Sequence, residues 1–252
     1  MVSLHDLVSY TDTLLDASAF RDYCPNGLQL EGRASVSRLV AGVSASQALV
    51  DAAVEAGAHA LVVHHGYFWK GEEPVITGIK RRRIRALLDA GISLLAYHLP
   101  LDAHPQYGNN AQLALRLGLE VHGHFGPAGG PDIAMYGRLA SAVGADELAE
   151  RITIALGRAP LHVPGRGDPI RSVGWCTGAA QGYIDQAAAL GLDAYISGEV
   201  SEPTVHVARE TGVHFYAAGH HATERYGPQA LGEHLAEHFG LEFRFIDIDN
   251  PV

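Results

Sequence analysis

Sulfur is scarce in this 252-residue chain, with two cysteines, Cys24 and Cys176, and two methionines. The cysteines stand far apart and form no CxxC pair, which argues against a disulfide framework and against a thiolate zinc site. A chain of this length buries enough surface to fold without either. Basic residues are also short, 18 Lys and Arg against 28 Asp and Glu, for a net charge of −10. That disfavours broad nucleic-acid binding, because phosphate contacts need a basic face. No apolar run approaches the roughly 20 residues of a membrane span. Asp6, Asp12 and Asp16 stand where a secretory signal would be basic and then apolar, so the N-terminus reads as an amphipathic helix. Together these absences predict a soluble, cytoplasmic protein. The glycine-bearing pieces PGRGDP and TGAAQG match neither a P-loop nor a dinucleotide fingerprint, so no nucleotide cofactor is expected.

What the chain does have is alternation. RLVAGVSAS, AHALVV and ISLLAYH read as buried strands, and QALVDAAVEAGA and VITGIKRRRIRALLDAG between them read as helices. The segments DYCPNGLQLEG and LPLDAHPQYGNN read as loops, and the stretch from Val121 to Asp132 reads as a linker. The alternation resumes with strands at MYGRLA, SVGWCTG, AYISGE and VHFYAAG, then a helix from Ala222 to Phe239 and a closing strand, EFRFIDI. Such alternation predicts an α/β fold with parallel sheet layers, in two lobes.

The chain is rich in histidine, fifteen in all. Three predicted strands end in chemistry-bearing residues: His64 and His65 after AHALVV, His98 and Asp102 after ISLLAY, and His220 and His221 after VHFYAAG, with Glu224 one turn on. Ligand sites of open α/β sheets lie beyond the carboxyl ends of the strands. Imidazole with carboxylate suits a divalent ion of the zinc, iron or manganese class. In an extended pair, His64 and His65 would point to opposite sides, and His220 and Glu224 share a face if a helix begins there. His64, His65, Asp102, His220 and Glu224 would make a shell for a two-metal hydrolytic site. His234 and His238 read instead as a solvated helix face, and His122 and His124 as loop residues. Tyr67, Phe68 and Trp69 read equally as core or as the wall of a pocket for a flat base. The basic run from Lys80 to Arg85 reads as an exposed face, or as an attractor for a phosphorylated substrate.

The runs VVHHGYFWKG, AYHLPLDAHPQYGNNAQLA, ISGEVSEPTVHVARE and GHHATERYGPQALGEHL resemble the signature segments of the Nif-three-like family. Many of its members are labelled GTP cyclohydrolase I type 2 homologues. The resemblance runs end to end and is to a short bacterial branch that lacks the inserted domain of longer relatives. It implies two interlinked α/β lobes: residues 1–120 with 217–252, carrying most metal ligands, and residues 121–216. It also implies a dinuclear metal centre in the cleft between them and a toroidal hexamer. The family's ligands fall on His64, His65, Asp102, His220 and Glu224. His98 falls beside them, facing ligands or substrate, and Glu199 and His206 are further residues of the same cleft. Where many members have HTNLD this chain has HLPLD, which keeps Asp102 but changes the wall beside His98.

The expectation is a protein binding two divalent metal ions per chain that hydrolyses a nucleotide-like or other small substrate, with His98 and Glu224 taking part in catalysis. The alternative is a metal-binding, metal-delivery or regulatory protein without catalysis.

Overall fold

The computed structural model describes residues 1–126, 132–167 and 169–252. The chain divides into two compact α/β units, residues 1–108 with 227–249, and residues 109–226 with 250–252. The expected boundaries lay at 120 and 217. In the structure, residues 109–117 and 220–224 instead pack within the second unit, because their apolar side chains (Leu113, Leu117 and Ala222 among them) enter that unit's core.

The first unit opens with α1 (Leu4–Leu14), β1 (Gly27–Leu30), β2 (Arg38–Ser44), α2 (Gln47–Glu55), β3 (Ala60–His65), α3 (Gly78–Ala90), β4 (Ser93–Ala96) and α4 (Leu99–Ala103). The chain returns to it for most of the helix Tyr226–Phe239 and for the strand Glu242–Phe245. That last strand, β2, β3 and β4 are parallel in this order, and β1 closes the sheet antiparallel to β4. The strands read as continuous apolar runs because both faces are covered. Val40, Leu61, Val63 and Leu94 pack with Leu49 and Val50 of α2 and Leu87 of α3. Their neighbours Leu39, Ala41, Val62 and Leu95 pack with Leu7 of α1 and with Leu231 and Leu235. Ser46 caps α2 by accepting from the Leu49 N–H. Gly91, at φ 64°, ends α3 in a conformation other residues resist.

The second unit holds α5 (Asn109–Leu117), β5 (Leu119–Phe125), β6 (Ala134–Val143), α6 (Ala145–Leu156), β7 (Leu161–Val163), β8 (Ile170–Cys176), α7 (Ile184–Ala189), β9 (Ala194–Ser197), α8 (Glu202–Thr211), β10 (His214–Ala217) and α9 (His220–Glu224). Its sheet runs β5-β6-β8-β9-β10-β7. The central strands β8, β9 and β10 are parallel, and the outer pairings are antiparallel. Trp175, Ile196 and Tyr216 form one face of its core with Leu113 and Leu117 of α5 and Leu148 and Ile152 of α6. Among the described residues, no helix is long and apolar enough to cross a membrane.

Four local readings change. Both large sheets are mixed rather than parallel, because antiparallel strands are added at their edges. One of these, β1, lies inside the expected DYCPNGLQLEG loop, and its only reason to be extended is pairing with β4 some 70 residues away in sequence, Gly27 opposite Ala96. The expected linker from Val121 to Asp132 is a strand as far as Phe125, where pairing with β6 overrides the glycine and histidine content; residues 127–131 lie outside the described residues. The expected final helix is two, broken around Arg225, because Pro228 can sit in a first helical turn but not in a helix interior.

Candidate metal centre

The first unit places His64, His65 and His98 at the carboxyl ends of adjacent parallel strands. His64 and His65 are the last two residues of β3. His98 follows β4 and caps α4, a short helix begun by Leu99 and Pro100 inside the expected loop, and Asp102 lies on that helix. His64 is fully buried, and its Nε2 lies 3.5 Å from Oδ1 of buried Asp102. The rings of His64 and His65 do not diverge to opposite sides: their centroids are 4.5 Å apart, although both residues lie in the strand. The His98 ring is 5.1 Å from that of His64 and 5.8 Å from that of His65. His64, His65 and His98 each offer one nitrogen, and these atoms lie within 4.8 Å of one another.

The second unit repeats the arrangement at the carboxyl ends of β8, β9 and β10. His220 opens α9 just after β10, and Glu224 ends that helix. Their sharing of one face is observed directly, with Nε2 of His220 3.1 Å from Oε2 of Glu224. Glu199, just after β9, reaches Nδ1 of His220 at 2.7 Å. Gly178, just after β8, has φ +67°, and a side chain there would collide with Oε1 of buried Glu224. The glycine thus clears the space the carboxylate occupies. Burial alone would lower the pKa of His220, but hydrogen bonds and charge from Glu224 and Glu199 outweigh it and raise it to about 9.

All four rings are held at Nδ1. His64 meets the Tyr97 carbonyl at 2.9 Å, His65 the Ser44 hydroxyl at 2.9 Å, His98 the Asp22 carboxylate at 2.7 Å and His220 the Glu199 carboxylate at 2.7 Å. A carbonyl or carboxylate only accepts, so Nδ1 carries the proton in His64, His98 and His220; at His220 the Glu224 carboxylate on Nε2 holds a second proton, which a metal ion would displace. The remaining nitrogen of a neutral ring is then Nε2, the lone-pair donor a metal ion or a proton requires.

Asp22 was not found by sequence reasoning. Its side chain is 2% exposed. Burial would raise its pKa, but hydrogen bonds from His98, Asn26 and the Leu99 N–H bring it down to about 2. Nearby Cys24 is a thiol, since burial and Asp22 push its pKa up to about 12. Trp69 belongs to the site's wall, its ring edge-on to His98 at 5.0 Å, whereas Tyr67 is core, its hydroxyl donating to the Ala45 carbonyl.

Other histidines have other duties. His206 is exposed on α8 and pairs with Glu202. His234 is not solvated as expected: Tyr10 and Tyr107 bond its two nitrogens at 2.8 and 2.9 Å, and His238 stacks on Tyr10. His122 and His124 are exposed on edge strand β5. Within the basic run, Lys80 pairs with Glu72 and Arg85 with Asp89.

Fold and side chains together define an α/β protein with histidine–carboxylate groups able to hold a metal ion. The profile of the Duf34/NIF3 (NGG1p interacting factor 3) family matches residues 2–251, and the chain belongs to that family. A Pseudomonas aeruginosa protein named GTP cyclohydrolase 1 type 2 homolog is 58% identical over 251 residues, covering 100% of this chain and 99% of the relative. An Escherichia coli K12 protein of the same name is 55% identical over 239 residues, 94% of this chain and 95% of the relative. Among solved structures, one described as protein ybgI, of unknown function, superposes with a TM-score of 0.96 at 51% identity, covering all of both chains.

Proposed function

We propose that the protein holds two divalent metal ions through His64, His65, Asp102, His220 and Glu224, and hydrolyses a small, nucleotide-like substrate. The observation that carries this reading is the common grip on Nδ1. Metal-ligating histidines give their second nitrogen to a carbonyl, hydroxyl or carboxylate, which fixes the tautomer and raises the basicity of the first. Neutral imidazole and carboxylate fit zinc, iron or manganese, and the protonated Cys24 thiol does not compete for them. The substrate class rests on the names of the relatives. When bound, such ions supply Lewis-acid polarisation and lower the pKa of coordinated water toward ~7.

The chain's own groups do the rest. His98 moves a proton at Nε2. Glu224, set beside His220 and against Gly178, would offer its carboxylate to the ions. Trp69 supplies a flat apolar surface against which a base can stack. Family resemblance adds a ring of six chains in the cytoplasm, and light scattering distinguishes six copies of the 26.8 kDa chain from one.

Elemental analysis of untagged protein, purified without added metal or chelator, tests the centre. About two ions per chain are expected, with at least one lost in Glu224→Ala while the fold survives. Retention of both ions in that variant would refute the ligand assignment. Negligible metal that zinc, manganese and iron all fail to restore would refute the mechanism. A screen of nucleotides for metal-dependent hydrolysis then separates an enzyme from a metal-delivery protein.

A further inference from the structure

Asp22 sits in the loop before β1, 76 residues from His98 in sequence, and makes four contacts that close on that ring. Oδ1 accepts from Nδ1 of His98 at 2.7 Å and from its neighbour's Tyr23 N–H at 2.6 Å. Oδ2 accepts from the Leu99 N–H and from Nδ2 of Asn26, both at 2.9 Å. Asn26 completes the clasp, its Oδ1 accepting the His98 backbone N–H at 2.8 Å. Side chain and backbone of His98 are therefore held by one loop, in an unusual conformation of φ −92° and ψ −101°. Among the described residues, Nε2 of His98 makes no hydrogen bond, and the ring packs beside those of Trp69, His64 and His65.

We propose that Asp22 is the positioning residue for His98: its buried carboxylate keeps the proton on Nδ1 and so commits Nε2 to accept a proton during the hydrolysis proposed above. The O–H bond of water or substrate breaks, its electron pair stays on oxygen, the proton bonds to Nε2, and Asp22 balances the imidazolium charge. This step rests on the hydrolase reading; the tautomer it requires does not. An amide cannot replace this carboxylate. Both oxygens accept from two donors each, so either orientation of an asparagine turns its NH2 toward donors. With Oδ1 kept at Leu99 and Asn26, the amide donates to Nδ1 of His98 and drives the ring proton to Nε2.

Long-range 1H–15N spectra of 15N-histidine-labelled, metal-free protein, recorded across a pH series, read the tautomer of the neutral ring directly. The expected wild-type result is His98 protonated on Nδ1. In Asp22→Asn that signal is lost and replaced by Nε2–H, while metal content stays at the wild-type value. In Asn26→Ala, which removes the backbone clasp but keeps the carboxylate, Nδ1–H persists. A wild-type ring protonated on Nε2 overturns the proposal, whether or not the variants fold. So does a folded Asp22→Asn that keeps Nδ1–H, or one that loses metal with the tautomer unchanged. Because the spectra need neither metal nor turnover, failure of the hydrolase reading leaves their result distinct.

Discussion

The two units solve one problem with different chemistry. Each sets histidine beyond the carboxyl ends of parallel strands and holds its Nδ1. The first unit grips two of its proposed ligands, His64 and His65, with neutral oxygens, the Tyr97 carbonyl and the Ser44 hydroxyl. The second grips His220 with a carboxylate, Glu199, and sets a second carboxylate, Glu224, on its other nitrogen. A main-chain grip such as that on His64 cannot be removed by substitution, because the carbonyl belongs to the strand end itself. A side-chain grip such as Glu199 can be tuned or lost at one codon. The grip on His64 is therefore part of the fold, whereas those on His65 and His220 are side chains built onto it.

Substitutions in the second unit should accordingly hurt most. Gly178→Ala is expected to have the largest effect. It sets a methyl group where Oε1 of Glu224 lies and forces a side chain onto φ +67°, costing about 1–3 kcal/mol. Denaturant unfolding should show the loss, and elemental analysis should show metal lost from the Glu224 half; unchanged metal would mean Glu224 needs no cleared space. Glu199→Gln comes next. Removing a charged grip on a ligand typically lowers metal affinity about 10–100-fold, and competition with a chelator measures it. Ser44→Ala is expected to fall at about 10-fold or below, since the half-buried His65 ring can take a water in place of the hydroxyl. Equal effects of the two would erase the distinction between the halves.

The smallest effect is a matter of pH and lies away from the centre. Asp193 accepts from the Arg171 and Ser172 N–H groups and from the Ser172 hydroxyl at 2.7–2.9 Å, tying the start of β9 to β8. Burial would raise its pKa, but these bonds and the neighbouring His214 lower it. A carboxyl lowered on folding contributes stability above its unfolded value, near 3.8, and loses it as the pH falls through the folded value. Asp193→Asn should be about 1 kcal/mol less stable than wild type at pH 7. That deficit should shrink toward zero below the folded pKa. A deficit constant from pH 7 to 2.5 would show that the charge contributes nothing.

The strand–helix alternation, and His220 and Glu224 one turn apart, were legible from the sequence because both are periodic features of a few consecutive residues. So was the clustering of His64, His65, His98 and Asp102 at or after the ends of two strands. The edge strand β1, the strand β5 and the short helix α4 were not, since pairing and packing partners far along the chain hold them against weak local preference. Asp22 was hidden for the same reason, lying in a loop whose composition suggests only a turn. By itself, then, the sequence determined which residue types stand at the ends of which strands. Only the tertiary structure decided which oxygen meets each Nδ1, because a hydrogen bond needs two groups within about 3 Å, and that proximity is created by the sheets rather than by spacing along the chain.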